Sequence, residues 1–399
     1  MNKKLIGITL LIVIAVFLGL MGISEFMSTP GKEGNTSSKD LTTVYVAAGG
    51  GKEDYLADED ILRILKDKYK IVPVYDTWSN GKTIVKPLIR EAVGLGSKQL
   101  ADRLKNGEDI TINTDGVSKY DALFTSDQRF YDYYKLPPKD GEAERYTVLD
   151  GSMMLNTPIV MYSWKEAVEP LMRLGVVTQE DGVYYIKDMN KMIDIILAPT
   201  RWMDVGLDIY GMINIKSTDP VTSSPGATYY GLLLAIMSGG EINDATVDEN
   251  LVKLGEFYKK SGYMNNTPAD LSERYLKTGV GGEAIIVDYE KSLINFINSN
   301  PNGFNQVKDQ IAVLYPTPTI WNSHCYLAFS ENGKALLHAL QDEEIQQIAW
   351  ERYGFRTGTA SSNYDVSNLG IKVPQTIRNT VSSLKMDHYN QLIDYLKNH

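Results

Sequence analysis

The sequence predicts an α/β protein of two lobes behind an N-terminal transmembrane or signal segment. Three observations predict it. From Thr42 onward short apolar strands alternate with helical segments, the pattern of α/β units with parallel strands. The 399 residues exceed what one core usually serves, at roughly 100 to 200 residues per domain. An uninterrupted apolar run, Leu5 to Ile23, follows Lys3 and Lys4.

That run is an export segment. About 19 apolar residues rising about 1.5 Å each can span the hydrocarbon core, and the run is longer than the roughly 7 to 15 apolar residues of a cleaved signal. Length favours an uncleaved anchor with its lysines in the cytoplasm, while Gly22 and Ser24 leave a cleavage site open. Either way the remainder is extracytoplasmic: tethered to the cell membrane, or periplasmic if the signal is cleaved. No Cys follows the run, which closes the lipoprotein route. Residues 27–40 lack an apolar period and are rich in Ser, Thr, Gly and charge, a flexible tether.

The elements follow in order. Thr42 to Gly50 reads as a strand ending in glycines, and Asp58 to Tyr69 as a helix with Ile61, Leu62 and Leu65 on its apolar face. Lys70 to Asp76 is a strand, Thr83 to Ala92 a helix, and Tyr120 to Ser126 a strand. Thr157 to Ser163 is a further strand, and Trp164 to Leu174 a helix ending at Gly175. Gly211 to Ser217 reads as a strand, followed by a helix from about Gly226 to Met237. Gly282 to Tyr289 and Gln310 to Pro316 are strands. Lys334 to Tyr353 is helical up to Gly354, and a last helix runs from about Val373 to Lys397.

Composition removes several functions. Lys and Arg number 40 against 50 Asp and Glu, a net charge of −10, which is the wrong sign for a general nucleic-acid binder. One cysteine, Cys325, forms no internal disulfide, and the four histidines show no zinc-binding spacing, so no metal or cofactor is expected. His324 and Cys325 are adjacent on an apolar segment, where neighbours point to opposite faces, so they read as core rather than as a catalytic pair.

Ligands in open α/β sheets sit beyond the carboxyl ends of strands, where helix N-termini offer free N–H groups. Four such junctions carry small polar residues. Gly49, Gly50, Gly51 and Lys52 form the first, a ligand loop or a tight turn; Val46 and Glu53 stand where a P-loop needs Gly and Ser or Thr. Thr77, Trp78, Ser79 and Asn80 form the second, either helix-capping or ligand-facing. Ser126 and Asp127 form the third, where capping is the plain alternative. Ser223, Ser224, Gly226 and Ala227, around Pro225, form the fourth, a cluster of donors at a helix start. Tyr289 is a fifth contributor.

In this order, these residues resemble the bacterial extracytoplasmic solute-binding proteins of the type II periplasmic-binding fold, most closely the molybdate-binding branch. YDALFTSDQRFYDYY, LNTPIVMYS, INIKSTDPVTSSPGATYYG, GGEAIIVDYE, IAVLYPTPT and the Tyr-Gly-Phe that closes the C-terminal helix pair carry the resemblance. It implies two lobes joined by two crossover strands, residues 41–155 with 317–399 and residues 156–316. It also implies a solute held in the cleft and delivery to an ABC-type permease. Two features depart from that branch: AAGGG replaces a loop with serines, and the chain is longer, with insertions near 94–119 and 176–210.

The function expected is therefore capture of a small polar, anionic solute without catalysis. A membrane-tethered sensor or accessory domain is the alternative. A surface hydrolase using a pair such as Asp54 and Asp127 is a further one.

Overall fold

The computed structural model describes residues 41–78, 89–91, 120–135, 147–265, 267–357, 366 and 369–398. The apolar run, the tether, Ser79, Asn80, most of the 83–92 segment and the 94–119 insertion lie outside them. Among the described residues no helix is long and apolar enough to cross a membrane.

The strands are β1 (Thr42–Gly49), β2 (Ile71–Trp78), β3 (Ile89–Glu91), β4 (Ala122–Phe124), β5 (Asp150–Trp164) and β6 (Val177–Glu180). They continue as β7 (Val183–Ile186), β8 (Ile285–Tyr289), β9 (Ile311–Pro316), β10 (Thr319–Ala328), β11 (Arg356–Thr357) and β12 (Thr380–Val381). Their order is β3-β2-β1-β4-β10-β5-β9-β7-β6, with β8 and β11 on β5 and β12 on β10. The first four run parallel, as the βα pattern requires.

β5 and β10 join two halves of this sheet. The first part of β5, through Pro158, pairs antiparallel with β10, which in turn pairs with β4. Beyond it, Ile159 to Trp164 pair with β8 and β9. A strand of 15 residues is long for a globular sheet, and this length lets it serve both halves.

Two hydrophobic cores flank the crossovers. One gathers Val44, Val46, Phe124, Leu155, Tyr326, Leu336 and Phe355. The other gathers Ile159 to Met161, the helix Ser224–Met237, β8 and β9. Residues 317–399 divide between them: Leu336 to Leu340 join the first, whereas Leu384, Leu392 and Leu396 join the second. The 176–210 segment is core rather than appendage, because Val177, Ile186, Met192, Ile196 and Trp202 are buried in the second core.

Local sequence accounts for the elements that frame the crossovers. The helix Glu59–Tyr69 starts where the Asp58 carboxylate accepts from the Asp60 and Ile61 N–H groups at 2.9 and 3.1 Å. Its buried face is Ile61, Ile64 and Leu65, spaced one helical turn apart, with Ile64 in the place expected for Leu62. The helix Ser224–Met237 is apolar on every face, and from Pro225 to Ile236 every residue is buried.

Several expected elements are corrected. Residues 89–91, expected in a helix, extend the edge of β2 as β3. Residues 211–217 form only isolated bridges, Arg201 to Met212 and Lys216 to Ile286, because β8 makes its continuous ladder with β5. The last helix is Met386–Lys397, not 373–397: the Pro374 and Gln375 carbonyls accept from Arg356 and are not available to a helical ladder. The 334–353 region, in contrast, is the expected helix pair, Glu331–Leu340 and Glu343–Tyr353, separated at Gln341 and Asp342. The return to the first half is made by β10, directly after β9 and the Thr317–Pro318 turn.

Candidate functional site

The fourth junction is built as a helix start with a phenol across it. Gly226 lies so close to the preceding loop that a β-carbon there would sit 2.2 Å from the Thr218 carbonyl oxygen, so only glycine fits. Its N–H donates to Thr218 Oγ1 at 3.1 Å. Tyr289, at the end of β8, places its hydroxyl 3.1 Å from Ser224 Oγ and 3.2 Å from Thr228 Oγ1. Burial pushes the Tyr289 phenol up, so it stays protonated and acts as a donor or acceptor, not as a phenolate. Ser223 caps through its backbone alone. Ser223, Ser224, Gly226, Ala227 and Tyr289 are thus brought together.

Opposite Ala227 and Thr228 stands a buried ion pair from the first half. Asp127 Oδ1 accepts from the Arg129 backbone N–H at 2.8 Å, which starts the helix Gln128–Lys135, and its carboxylate also takes the Arg129 guanidinium through Nε and Nη2. The guanidinium lies 3.8 Å over the Tyr389 ring. Asp127, Arg129, Ala227, Thr228, Trp321 and Leu384 enclose a cavity of about 10 Å³, room for about one water.

The first loop carries the least expected feature. Gly51 has φ +82°, a conformation glycine adopts without cost, and it turns the chain so that Lys52 runs inward. Lys52 is 2% exposed. Its ammonium donates to Gly49 O at 2.7 Å and Thr125 O at 3.2 Å and stands 4.7 Å over the Phe124 ring. Among the described residues no carboxylate forms an ion pair with it. Burial lowers Lys52 to about 7, against the opposing field of Glu53.

Thr77 and Trp78 close β2 beside Ala48 and Gly49 in register, which puts the second junction next to the first. Ser126 sits between Thr125, which touches Lys52, and Asp127. The Asp54 and Asp127 pair is not assembled: Asp54 lines an open groove with Asp58, Asn298 and Tyr353, while Asp127 is held by Arg129 in the small cavity. His324 and Cys325 are both buried, as expected of core, with a register shift between them.

Arg129, Lys291, Asn322 and His324 were not foreseen as site residues. Arg129 and Lys291 stand just past FTSDQ and IVDYE, where a strand end delivers its next residues to the same edge. Asn322 lies inside an apolar strand with no functional signal, and His324 beside Cys325 reads as core there.

The sequence matches no family model and no curated protein. Solved structures do resemble it. Apo ferric ion-binding protein A of Pasteurella haemolytica aligns at TM-score 0.56 and 11% identity, over 89% of this chain and 97% of that one. The fold is that of the two-lobed solute-binding proteins. A putative extracellular solute-binding protein of Bordetella parapertussis follows at 0.53 and 13%, over 89% and 98%. The GacH receptor of Streptomyces glaucescens, solved unliganded and with acarbose, aligns at 0.51 and 12%, over 89% and 93%.

Proposed function

We propose that the chain is an extracytoplasmic solute-binding protein that captures a small polar, anionic solute between its lobes for an ABC-type transporter. The observation that carries this reading is the meeting of polar groups from both halves at the crossover strands. The Ser223 to Ala227 helix start and Tyr289 come from one half, the Gly49 to Lys52 loop and the Asp127–Arg129 pair from the other. Binding needs only such donors, with no nucleophile or base. The fold likeness to a ferric ion-binding protein and to an acarbose-binding receptor supports capture as the activity while differing on the solute. Buried Lys52, which among the described residues has no ion pair, disfavours a metal cation at that end and favours an anion.

Capture then works by hinge motion. The cavity of about 10 Å³ between Asp127 and Ala227 admits no organic solute, whose pockets span roughly 300 to 1,000 Å³, so a solute that reaches both of these residues enters when the lobes part. A solute that touches both lobes binds the closed form more tightly and shifts the population toward it.

A thermal-shift screen of the full chain against sulfate, molybdate, small carboxylates and sugars tests the reading. A solute at about 100 times its dissociation constant stabilises the folded form by about 2.7 kcal/mol, a shift of a few degrees. Stabilisation by none of these classes contradicts it.

A further inference from the structure

Two cations and an imidazole meet at the Gly51 loop, where the nearest carboxylate, Glu53, accepts from the Gly51 N–H at 2.8 Å and forms an ion pair with neither lysine among the described residues. Lys291, the second residue after β8, reaches across to donate to Gly51 O at 3.1 Å, with its ammonium 5.0 Å over the Phe355 ring. The His324 ring packs edge-on against the same Phe355 ring at 5.0 Å, and a β-carbon on Gly51 would lie 3.8 Å from His324 Cε1. Lys52 enters from the other side of the loop, bonded only to carbonyl oxygens. Neither lysine has an ion pair among the described residues. His324 is 2% exposed and its Nδ1 has no hydrogen-bond partner; Asn322, two residues earlier on β10 and 5% exposed, has an unpartnered Oδ1.

Buried polar atoms in folded proteins are almost always bonded, and a buried ammonium without a counter-charge is costly. Lys52 and His324 are buried with this deficit and half-buried Lys291 stands at their edge, so one species can satisfy all three. An oxyanion accepts from both ammoniums and from an imidazole N–H in one place, and a hydroxyl or amide N–H on the same solute donates to Asn322 Oδ1.

Resting on the capture reading, we propose that Lys52, Lys291 and His324 form an oxyanion-binding subsite on β10, taking a carboxylate or a tetrahedral oxyanion. Asn322 fixes the orientation of a solute that carries a donor beside its anionic group. The subsite draws Lys291 from one lobe and Lys52 from the other, so filling it also holds the lobes together.

The charged and titratable groups facing it are Glu53 and Asp54 from the first lobe, Asp288 beside Lys291, and Cys325 next to His324. Burial and the two lysines hold His324 well below its ordinary value, so it meets the anion as a neutral donor. An anion beside Lys52 favours its protonated form, and binding near neutral pH takes up a proton.

The test is calorimetric titration of the full chain with sulfate, molybdate, succinate and maltose, in two pH 7.5 buffers of different ionisation enthalpy. The same titrations are run on K52M, K291M and His324→Phe, each first checked for a native circular dichroism spectrum. The subsite predicts that at least one anion binds, that K52M and K291M each weaken it at least tenfold, and that wild type but not K52M takes up a proton. K52R, which keeps the charge, retains more of the affinity than K52M, whereas equal loss in both shows that Lys52 acts only by folding the loop and counts against the subsite. Anion binding unchanged in both K52M and K291M overturns the subsite. Binding of maltose alone, unaffected by these substitutions, overturns the subsite and leaves the capture reading standing. Binding of no probe counts against both.

Discussion

Lys52 and Asp58 show how single residues set the behaviour of the first lobe. Burial holds folded Lys52 near 7, against an ordinary value of 10.5. Between those limits the unfolded chain keeps a proton that the folded chain has released, so stability rises with pH, by up to about 1.4 kcal/mol per unit. Chemical denaturation at pH 7, 8 and 9 should show wild type gaining stability relative to K52M across that window; parallel curves would refute the assignment. Asp58 caps its helix and also accepts from Arg352 Nη1 at 2.8 Å and the Tyr353 hydroxyl at 2.7 Å. Asp58→Ala removes the cap, worth about 1 kcal/mol, and strands two partners, for a total of about 2 to 3 kcal/mol in urea unfolding. Lys52 was legible in the sequence as a loop residue, but its burial was not, because that depends on Phe124 and Thr125 from a strand some 70 positions away.

At the scale of elements, the helix Ser224–Met237 is the piece whose placement decides the site. Its approach to the Thr218 loop leaves no room at Gly226, so Gly226→Ala should cost about 1 to 3 kcal/mol and disturb the Tyr289 contacts, read by denaturation and tyrosine fluorescence. A neutral outcome would mean that the loop yields. The helix start was readable from Ser-Ser-Pro-Gly, as were β1, β2, β4, β8 and β9 from their apolar runs. What misled was local pattern overridden by pairing. The alternation in 211–217 suits a strand, yet Ile213 and Ile215 go into the core while the ladder partner is taken. Pro374 suits a helix start, yet its carbonyl is committed to Arg356. His324 reads as core beside Cys325 and Asn322 gives no signal, because a polar residue in an apolar strand discloses its role only through what fails to bond it.

For the whole molecule, the buried Glu290–Arg356 ion pair ties the two halves beside the crossover strand β5. Glu290, just past β8, accepts from Arg356 Nε and Nη2 at 2.6 and 2.8 Å and from the Tyr315 hydroxyl at 2.6 Å. Arg356 sits in β11, on the part of β5 that belongs to the first half. Removing one partner strands a buried charge, so E290M and R356M should each cost about 3 to 5 kcal/mol. The double variant should cost less than their sum, which a double-mutant cycle by urea unfolding reads directly. Additive losses would mean that the two side chains act independently. The central claim is that a solute closes two lobes about β5 and β10, and a distance across them tests it most directly. Lys66→Cys in the first lobe and Glu249→Cys in the second are exposed labelling positions, and native Cys325 is buried. Energy transfer between dyes there, followed while sulfate, molybdate, succinate and maltose are titrated into the full chain, should rise saturably with at least one solute. Unchanged transfer with a solute that calorimetry shows to bind would contradict capture by closure.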